Sequence, residues 1–226
     1  MSASRPDPVP LEGRTVDLVP LTVQHADDLF PYIDANTPEG LQLWKYIPDG
    51  PYYEIEKLRE SFVAKLASPD VFFAIIDKRD GVPTAGKPVG YLSLMSIVPE
   101  HRRLEIGHVV FMPPLQRTTG ATEALYFALG YAFYLGYMRV EWKCDQSNEP
   151  SRRAALRLGY RFEGIFRQHM WVRGVRRDTA WYSILREEWL GEDGKENGLI
   201  HAMEKWLDES NFEGERQVKT LESLRA

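Results

Sequence analysis

The 226-residue chain has a single cysteine, Cys144, and no apolar run that approaches the ~18 residues of a membrane-spanning helix. One cysteine excludes an internal disulfide framework and a cysteine-rich metal site. No spacing of histidine and cysteine supports another metal centre. The N-terminus also lacks the apolar core of a signal peptide. We therefore expect a cytoplasmic protein in a reducing compartment, with no metal and no membrane partner.

Basic residues are scarce relative to acidic ones, and the formal net charge is −5. This balance argues against a general nucleic-acid binder, which usually presents a basic face. The excess of acidic residues is concentrated in residues 191–226, which hold nine acidic and five basic side chains. The glycine-rich stretch 191–198 marks a boundary. We predict an extended N-terminal arm over residues 1–10, a main domain over 11–190 and an acidic C-terminal extension over 191–226.

Hydrophobic periodicity predicts seven strands, over residues 15–20, 71–76, 89–98, 104–112, 139–144, 162–170 and 179–185. It predicts helices over residues 23–35 (with Thr22 as cap), 53–66, 122–135 and 150–158, and an unusually apolar loop over 36–51. An amphipathic helix over 199–207 has to bury its apolar side on the main domain or on a second subunit. The sequence is therefore also compatible with a homodimer. This order of elements indicates an α+β fold with a mixed, mostly antiparallel central sheet and helices on its faces.

The most informative stretch covers residues 109–124, where a strand, a short loop of small and hydroxyl residues and a helix follow one another. Unpaired N–H groups at a helix start form an anion site, which the helix dipole reinforces. Gly120 and Ala121 would allow a pyrophosphate to approach closely, and Arg117 and Thr118 would add donors. The simpler alternative is a well-capped helix start.

A second informative stretch covers residues 141–160. A strand ends there, Asn148 and Ser151 open a helix, and Gly159 closes it. Asn148 as the N-cap with Pro150 just inside the helix is a sufficient structural explanation. The pattern alone therefore does not require a binding role.

Together the two stretches resemble the GNAT superfamily of acyl-CoA-dependent N-acetyltransferases, and within it the ribosomal-protein N-terminal acetyltransferase (RimJ/RimL-like) branch. The resemblance covers roughly residues 11–188. It is carried by Leu115-Gln116 through Thr122-Glu123-Ala124, by Asn148-x-x-Ser151, by Leu158-Gly159-Tyr160 with Glu163-Gly164, and by Arg177-Asp178. The family turn is Gln/Arg-x-x-Gly-x-Gly/Ala. If the motif begins at Gln116, Thr119 replaces its central glycine. If it begins at Arg117, Thr122 replaces its final glycine or alanine.

The resemblance implies a sheet that splays into a V between the strand ending at Met112 and the strand starting near Arg139. Acetyl-CoA, the co-substrate, would lie in that gap. The implied cofactor-binding residues are Phe111, Met112, Gln116, Arg117, Thr118, Thr119, Gly120, Ala121, Thr122, Asn148, Ser151 and Arg152.

The resemblance also implies catalytic residues. Glu105 matches the position of the family's carboxylate on the strand before the turn, and a base that reaches the amine through one water suffices. The alternative is an ion pair of Glu105 with Arg103 or Arg139. His108 and His169 are further base candidates. Many family members carry a tyrosine in the helix after the asparagine to protonate the leaving thiolate; this helix has none, so Ser151 is the implied donor.

The implied acceptor site is aromatic, and core packing is the alternative for each tryptophan. Its candidate residues are Trp44, Tyr46, His108, His169, Trp171 and Trp181. The implied function is acetyl transfer from acetyl-CoA to a primary amine of a small molecule, an aminoacyl group or a protein N-terminus. One alternative is a catalytically degenerate domain that binds acyl-CoA or a partner. A third hypothesis is nucleic-acid binding by the arginines of residues 152–177.

Overall fold

The computed structural model describes residues 2–193, 195–214 and 216–225. Met1, Gly194, Glu215 and Ala226, which fall in the predicted arm, linker and extension, lie outside the described residues. The chain divides into two units built from separate stretches of sequence. The first unit comprises Arg5–Ile97 and Glu105–Ala128; the second comprises Val98–Leu104, Leu129–Ala226 and the residues before Arg5. The division into arm, main domain and extension stays a prediction.

The first unit contains a meander of strands in the order β1-β2-β3-β4-β5. Their bounds are Leu11–Glu12, Val16–Pro20, Val71–Asp77, Pro88–Val98 and Arg103–Phe111, and the two ends that join β4 to β5 belong to the second unit. Neighbours from β1 to β4 are antiparallel, with Leu18 opposite Ile75 and Phe73 opposite Leu92. The apolar strand β3 is buried on both of its faces, because both alternating sets of its side chains are covered.

Helices α1 (His25–Ile33), α2 (Pro38–Leu43) and α3 (Ile55–Leu66) complete the first unit together with the start of α4 (Thr119–Tyr134). The prediction that residues 36–51 are mostly loop is wrong, because helical turns cover Pro38–Tyr46. Thr37 Oγ1 accepts the N–H of Gly40 at 3.1 Å, and Pro38 occupies the first turn, so this segment starts a helix. A 3₁₀ turn over Trp44–Tyr46 follows.

Thr22 does not cap α1 with its side chain. Its backbone N–H instead donates to Nδ1 of His25 at 3.1 Å, and the helix begins at His25. Helix α4 starts at Thr119, three residues earlier than predicted. Leu29 and Phe62 pack with Ala74 and Tyr91 in the core of this unit.

The second unit contains the antiparallel strands β6 (Arg139–Asp145), β8 (Val175–Leu185) and β7 (Arg161–Val172), in that spatial order. Helix α5 (Glu149–Leu158) connects β6 to β7. Strands β7 and β8 extend further than predicted, because their pairing continues to Val172 and Val175 around a tight turn. The α+β class with mostly antiparallel strands is thus confirmed, while the V-shaped splay stays a prediction.

The rest of the second unit is the C-terminal extension, which follows α6 (Arg186–Leu190). Helix α7 has the predicted bounds, Leu199–Leu207. It is followed by two short paired strands, β9 (Phe212–Glu213) and β10 (Arg216–Gln217), and by α8 (Leu221–Leu224), which are too short to leave a periodic pattern in the sequence. No helix among the described residues is long and apolar enough to cross a membrane.

The amphipathic helix α7 packs mainly against α6 and α8, and it also touches the last turn of α5. Trp206 is buried, and the guanidinium of Arg157 lies 4.7 Å from the centre of its ring. At the end of α5, a Cβ on Gly159 would lie 2.7 Å from Cδ2 of Leu199, and Arg225 Nη1 donates to the carbonyl of Leu156 at 3.0 Å. The predicted docking of this helix is confirmed, and its partner is this chain.

Candidate active site

The start of α4 has the geometry of an anion-binding helix terminus. The chain enters it through a tight turn, in which the N–H groups of Leu115 and Gln116 donate to the carbonyl of Met112 at 2.9 and 3.2 Å. Arg117 adopts the left-handed conformation with φ 62°, and the Oγ1 of Thr118 accepts the N–H of Ala121 at 3.4 Å. The first N–H groups of a helix precede its internal ladder, so this end offers donors to an anion.

Gln116 in this turn and Gly120 in the first turn of α4 make contacts within the fold that the family motif did not imply. Gln116 is exposed, and its Nε2 donates to the carbonyl of Phe111 at 2.8 Å, so the amide closes the turn. A Cβ on Gly120 would lie 2.7 Å from Cγ1 of Val16 and 3.3 Å from Oγ1 of Thr15. Packing against β2 therefore requires a glycine at position 120, independently of any need for a pyrophosphate to approach.

Glu123 anchors the first turn of α4, a function that no local sequence pattern indicates. Its buried carboxylate accepts the N–H groups of Arg14, Thr15 and Val16 at 3.0, 2.7 and 3.0 Å, and the hydroxyl of Thr15 at 2.6 Å. Four donors converge on two oxygens, and hydrogen bonds to a carboxylate are stronger than those to a neutral acceptor. These hydrogen bonds fix the position of the start of α4 relative to β2.

We expect Glu123→Gln to destabilise the fold by about 2 kcal/mol, since an amide loses the charge and turns an N–H₂ toward the N–H groups of Thr15 and Val16. Denaturant unfolding measures this loss. The affinity of the folded variant for acetyl-CoA should stay within about twofold of that of the native protein. An unchanged free energy of unfolding would contradict the anchoring function.

On β5, the carboxylate of Glu105 is buried and lies beside a distortion of the sheet. Ser96 Oγ donates to Glu105 Oε2 at 3.1 Å, and a Cβ on Gly107 would lie 3.7 Å from Glu105 Oε1. Ser96 and His108 both have a positive φ, of 50° and 46°. The regular alternation expected along this strand therefore breaks at His108, although Glu105 and Gly107 do share a side.

His108 is held by β4. Ser93 Oγ donates to the carbonyl of Gly107 at 3.1 Å and lies 3.1 Å from Nδ1 of His108. The Ser93 hydroxyl therefore fixes the orientation of the imidazole ring. Burial lowers the pKa of His108, so the ring is neutral at pH 7.

The other aromatic candidates of the first unit are Trp44 and Tyr46. Trp44 is 1% exposed, its Nε1 donates to the carbonyl of Ile33 at 2.8 Å, and it packs edge-on against Tyr52. Its surroundings are those of a core residue. Tyr46 is half-buried, and Nζ of Lys45 lies 5.0 Å from its ring centre.

In the second unit, Asn148 and Ser151 open α5 as predicted. Asn148 Oδ1 accepts the N–H of Ser151 at 3.3 Å, which confirms the N-cap. Ser151 Oγ accepts the Nε1–H of Trp142 at 3.0 Å, so the indole fixes the hydroxyl oxygen, and the same hydroxyl hydrogen-bonds the Cys144 side chain. Burial raises the pKa of Cys144, so this thiol stays protonated, as expected for a packed residue.

Arg152 lies one residue further along α5, and its guanidinium is held on the sheet side of the helix. Nε donates to the hydroxyl of Tyr182 at 3.2 Å, and Nη1 donates to the carbonyl of Gln146 at 3.3 Å. Part of the arginine-rich region is neutralised, since Arg176 pairs with Asp178 at 2.8 Å and Arg153 with Glu149 at 2.9 Å.

His169 and Trp181 lie together on strands β7 and β8. His169 Nδ1 is 3.0 Å from Oγ1 of Thr179, and the ring of Trp181 packs on Phe166 at 4.5 Å and under Nζ of Lys143 at 4.1 Å. Trp171 is 71% exposed near the turn of the same hairpin. The six predicted acceptor-site residues thus divide into three on the first unit and three on the second.

Arg139, which the sequence analysis named as an alternative partner of Glu105, lies on β6 and forms ion pairs with two other glutamates. It donates to both oxygens of Glu163 and, at 3.0 Å, to Glu141. Among the described residues no group of three or more histidine, cysteine, aspartate or glutamate side chains could hold a metal ion.

A turn that leads into an anion-binding helix start, after a strand that carries a buried carboxylate, fits a transferase for an anionic cofactor. Residues 15–161 match the Acetyltransferase (GNAT) domain family, and the chain therefore belongs to this family. It is an acyl-CoA-dependent N-acetyltransferase, and the acetyltransferases of the family use acetyl-CoA.

Solved structures and curated relatives agree with this assignment. A GCN5-related N-acetyltransferase from Brucella melitensis is 39% identical, with a TM-score of 0.89 over 99% of this chain and 97% of that chain. The N-acetyltransferase YoaA of Bacillus subtilis, which is uncharacterized, is 29% identical over 142 residues, 60% of this chain and 79% of its own length.

Two further proteins have named acceptors. The spermidine N(1)-acetyltransferase of Escherichia coli K12 is 26% identical over 117 residues, 51% of this chain and 62% of its own length. RimL, the α-N-acetyltransferase of ribosomal protein L7/L12, has a TM-score of 0.65 at 19% identity, over 76% of this chain and 91% of that structure. At this identity the likeness to RimL concerns the fold.

Proposed function

We propose that this enzyme transfers the acetyl group of acetyl-CoA to a primary amine of a small molecule, without a metal. The observation that carries the proposal lies within the first unit, where the buried carboxylate of Glu105 stands on the strand that leads into the helix start of α4. The carboxylate of Glu105 can take a proton from an amine, and the helix start of α4 can hold a phosphate. The half-buried aromatic rings of Tyr46 and Tyr52 in the segment between α2 and α3 support a small acceptor.

The predicted cofactor-binding and catalytic residues have proposed roles in this reaction. The start of α4 over residues 117–122 holds the pyrophosphate of the cofactor, Gln116 closes the turn that leads into it, and the strand end at Phe111 and Met112 binds the pantetheine arm. Asn148 and Arg152 bind the cofactor from α5. Ser151 donates the proton to the departing thiolate, a role its fixed hydroxyl supports. Glu105 takes the proton of the amine, directly or through one water.

We expect acetyl-CoA to bind with micromolar affinity, about 8 kcal/mol of binding free energy. Isothermal calorimetry measures it, with desulfo-CoA and dephospho-CoA as probes of the thiol and of the 3′-phosphate. Absence of both heat and a thermal shift with acetyl-CoA would contradict the proposed cofactor site.

Release of CoA, followed with spermidine, n-butylamine and a serine-initiated N-terminal peptide as acceptors, tests the substrate class. Turnover of the small amines above that of the peptide supports the proposal. Turnover of the peptide alone moves the function to protein N-termini, as named for RimL. Cofactor binding with no turnover of any amine would favour a degenerate acyl-CoA-binding domain.

The proposed setting is the reducing cytoplasm, in keeping with one free, buried cysteine. A homodimer is also part of the proposal, since β7 exposes Phe162, Phe166 and Trp171. Sedimentation equilibrium determines the oligomeric state.

A further inference from the structure

A buried ion pair lies at the start of the hairpin that joins β3 to β4 in the first unit. Asp77, the last residue of β3, is 0% exposed, and its Oδ1 and Oδ2 accept Nε and Nη2 of Arg79 at 2.9 and 2.6 Å. Oδ1 also accepts the backbone N–H of Arg79 at 3.0 Å, and Oδ2 accepts the hydroxyl of Thr84 at 2.6 Å. Two parallel N–H···O bonds to one carboxylate fix both the position and the plane of the guanidinium.

The carboxylate of this pair is charged despite its burial. Burial alone would raise the pKa of Asp77, but the hydrogen bonds from Arg79 and Thr84 lower it below its ordinary value. A buried charge needs a fixed partner, because an unpaired one is costly. Asp77 therefore sets the orientation of Arg79, whose side chain is 26% exposed.

Arg79 reaches from this pair to the turn that leads into α4. The same Nη2 that binds Asp77 also donates to the carbonyl of Pro114 at 2.9 Å, across 35 residues of the chain. Pro113 and Pro114 have no backbone N–H, so hydrogen bonds can hold these two residues only through their carbonyls. One guanidinium therefore joins the β3–β4 hairpin to the first half of the turn.

This turn depends on outside contacts more than the helix that follows it. Three residues after Pro114, Arg117 has its left-handed φ, and α4 begins at Thr119. Glu123 anchors the helix, whose N–H groups keep their spacing through the helical hydrogen bonds even where that anchor is weakened. The turn lies outside those hydrogen bonds, so its shape depends on contacts such as the one from Arg79.

We propose that Arg79, oriented by Asp77, is a positioning residue that holds the turn of residues 113–118 in the shape that lets the start of α4 bind the pyrophosphate of acetyl-CoA. Arg79 acts through the carbonyl of Pro114 and does not need to touch the cofactor. The inference rests on the proposed cofactor site at residues 117–122. A lysine cannot do the same, because an ammonium is a point charge and does not present three N–H groups in one fixed plane.

Arg79→Lys is the test, because it keeps a positive charge beside Asp77 and removes the planar guanidinium. We expect the Kd of acetyl-CoA, measured by calorimetry, to rise about tenfold, the size of one hydrogen bond from a charged donor. The KM for acetyl-CoA should rise in parallel, while kcat with saturating acetyl-CoA and n-butylamine stays within about twofold.

Thr84→Val is the matched control. It removes one hydrogen bond to the same buried carboxylate but leaves the contact between Arg79 and Pro114 in place. It should lower the melting temperature about as much as Arg79→Lys does and leave the Kd of acetyl-CoA within about twofold. Asp77→Asn keeps Arg79 but weakens its orientation, and it should raise the Kd by about threefold or more.

S-acetylpantetheine, which lacks the pyrophosphate, separates positioning of the turn from general loosening of the fold. Arg79→Lys should use this donor with the native kcat/KM. An unchanged Kd of acetyl-CoA in Arg79→Lys, an equal rise in Thr84→Val, or an equal loss with S-acetylpantetheine would overturn the proposal and leave the proposed function intact. A native chain that binds acetyl-CoA but acetylates no amine would contradict only the proposed function, since the Kd values still test Arg79. A native chain that binds no acetyl-CoA would overturn both.

Discussion

Glu105→Gln should lower kcat by roughly 10² to 10⁴-fold at neutral pH with a saturating amine, the contribution of a positioned base. Glutamine keeps the shape of the side chain and can still accept the hydroxyl of Ser96, so the fold and the Kd of acetyl-CoA should change little. The loss should shrink as the pH rises, because more of the acceptor amine is then already neutral. Steady-state kinetics over a pH series, with calorimetry of the cofactor, measure both effects.

Glu100→Gln is the matched control, since this carboxylate lies exposed in the turn between β4 and β5. It should retain the native kcat. Near-full turnover of Glu105→Gln would contradict the proposed base. His108→Ala and His169→Ala would then be the next variants, and His108 has the better geometry because its neutral ring is oriented by Ser93.

Trp206→Ala should destabilise the protein by about 3 to 5 kcal/mol, the usual cost of replacing a buried aromatic side chain with alanine. Its indole packs edge-on against Phe212, lies under the guanidinium of Arg157 and donates to Oε1 of Gln217 at 2.8 Å. At roughly 2 to 4 °C per kcal/mol for a chain of this size, the melting temperature should fall by roughly 6 to 20 °C.

Differential scanning calorimetry measures this change, and Trp206→Phe, which keeps most of the apolar contact, should lose less. A chain truncated after Leu190 loses the whole docked helix and should melt below the native protein or change its sedimentation. Identical melting and sedimentation of the truncated and native chains would show that α7 contributes nothing to the fold.

Local patterns in the amino-acid sequence are enough to predict much of this protein. The strand–turn–helix of residues 109–124 and the Asn148 cap indicate the family, because each depends on neighbours a few residues away. The same holds for α7, whose apolar periodicity predicts its bounds correctly. The elements that cover its apolar face, α6, α8 and the end of α5, cannot be predicted in this way, since periodicity shows that a face must be covered and not what covers it.

The segment of residues 36–51 shows a different limit of prediction from sequence composition. Its prolines and glycines favour a loop, but Thr37 and Pro38 form a helix start, and the capping hydrogen bond outweighs the composition. A Thr-Pro pair before an apolar stretch is the signal that could have found it.

The family, the type of reaction and the helix start that suits an anion all follow from the amino-acid sequence alone. What holds that site in place follows only from contacts made in the folded chain. Glu123 is bound by Arg14, Thr15 and Val16, more than 100 residues away, and Gly120 is fixed by the side chain of Val16. The pairing of Asp49 with Lys65 likewise depends on a loop and a helix that meet only in the fold. Hydrogen bonding and close packing act over ångströms in space, and no spacing along the chain encodes them.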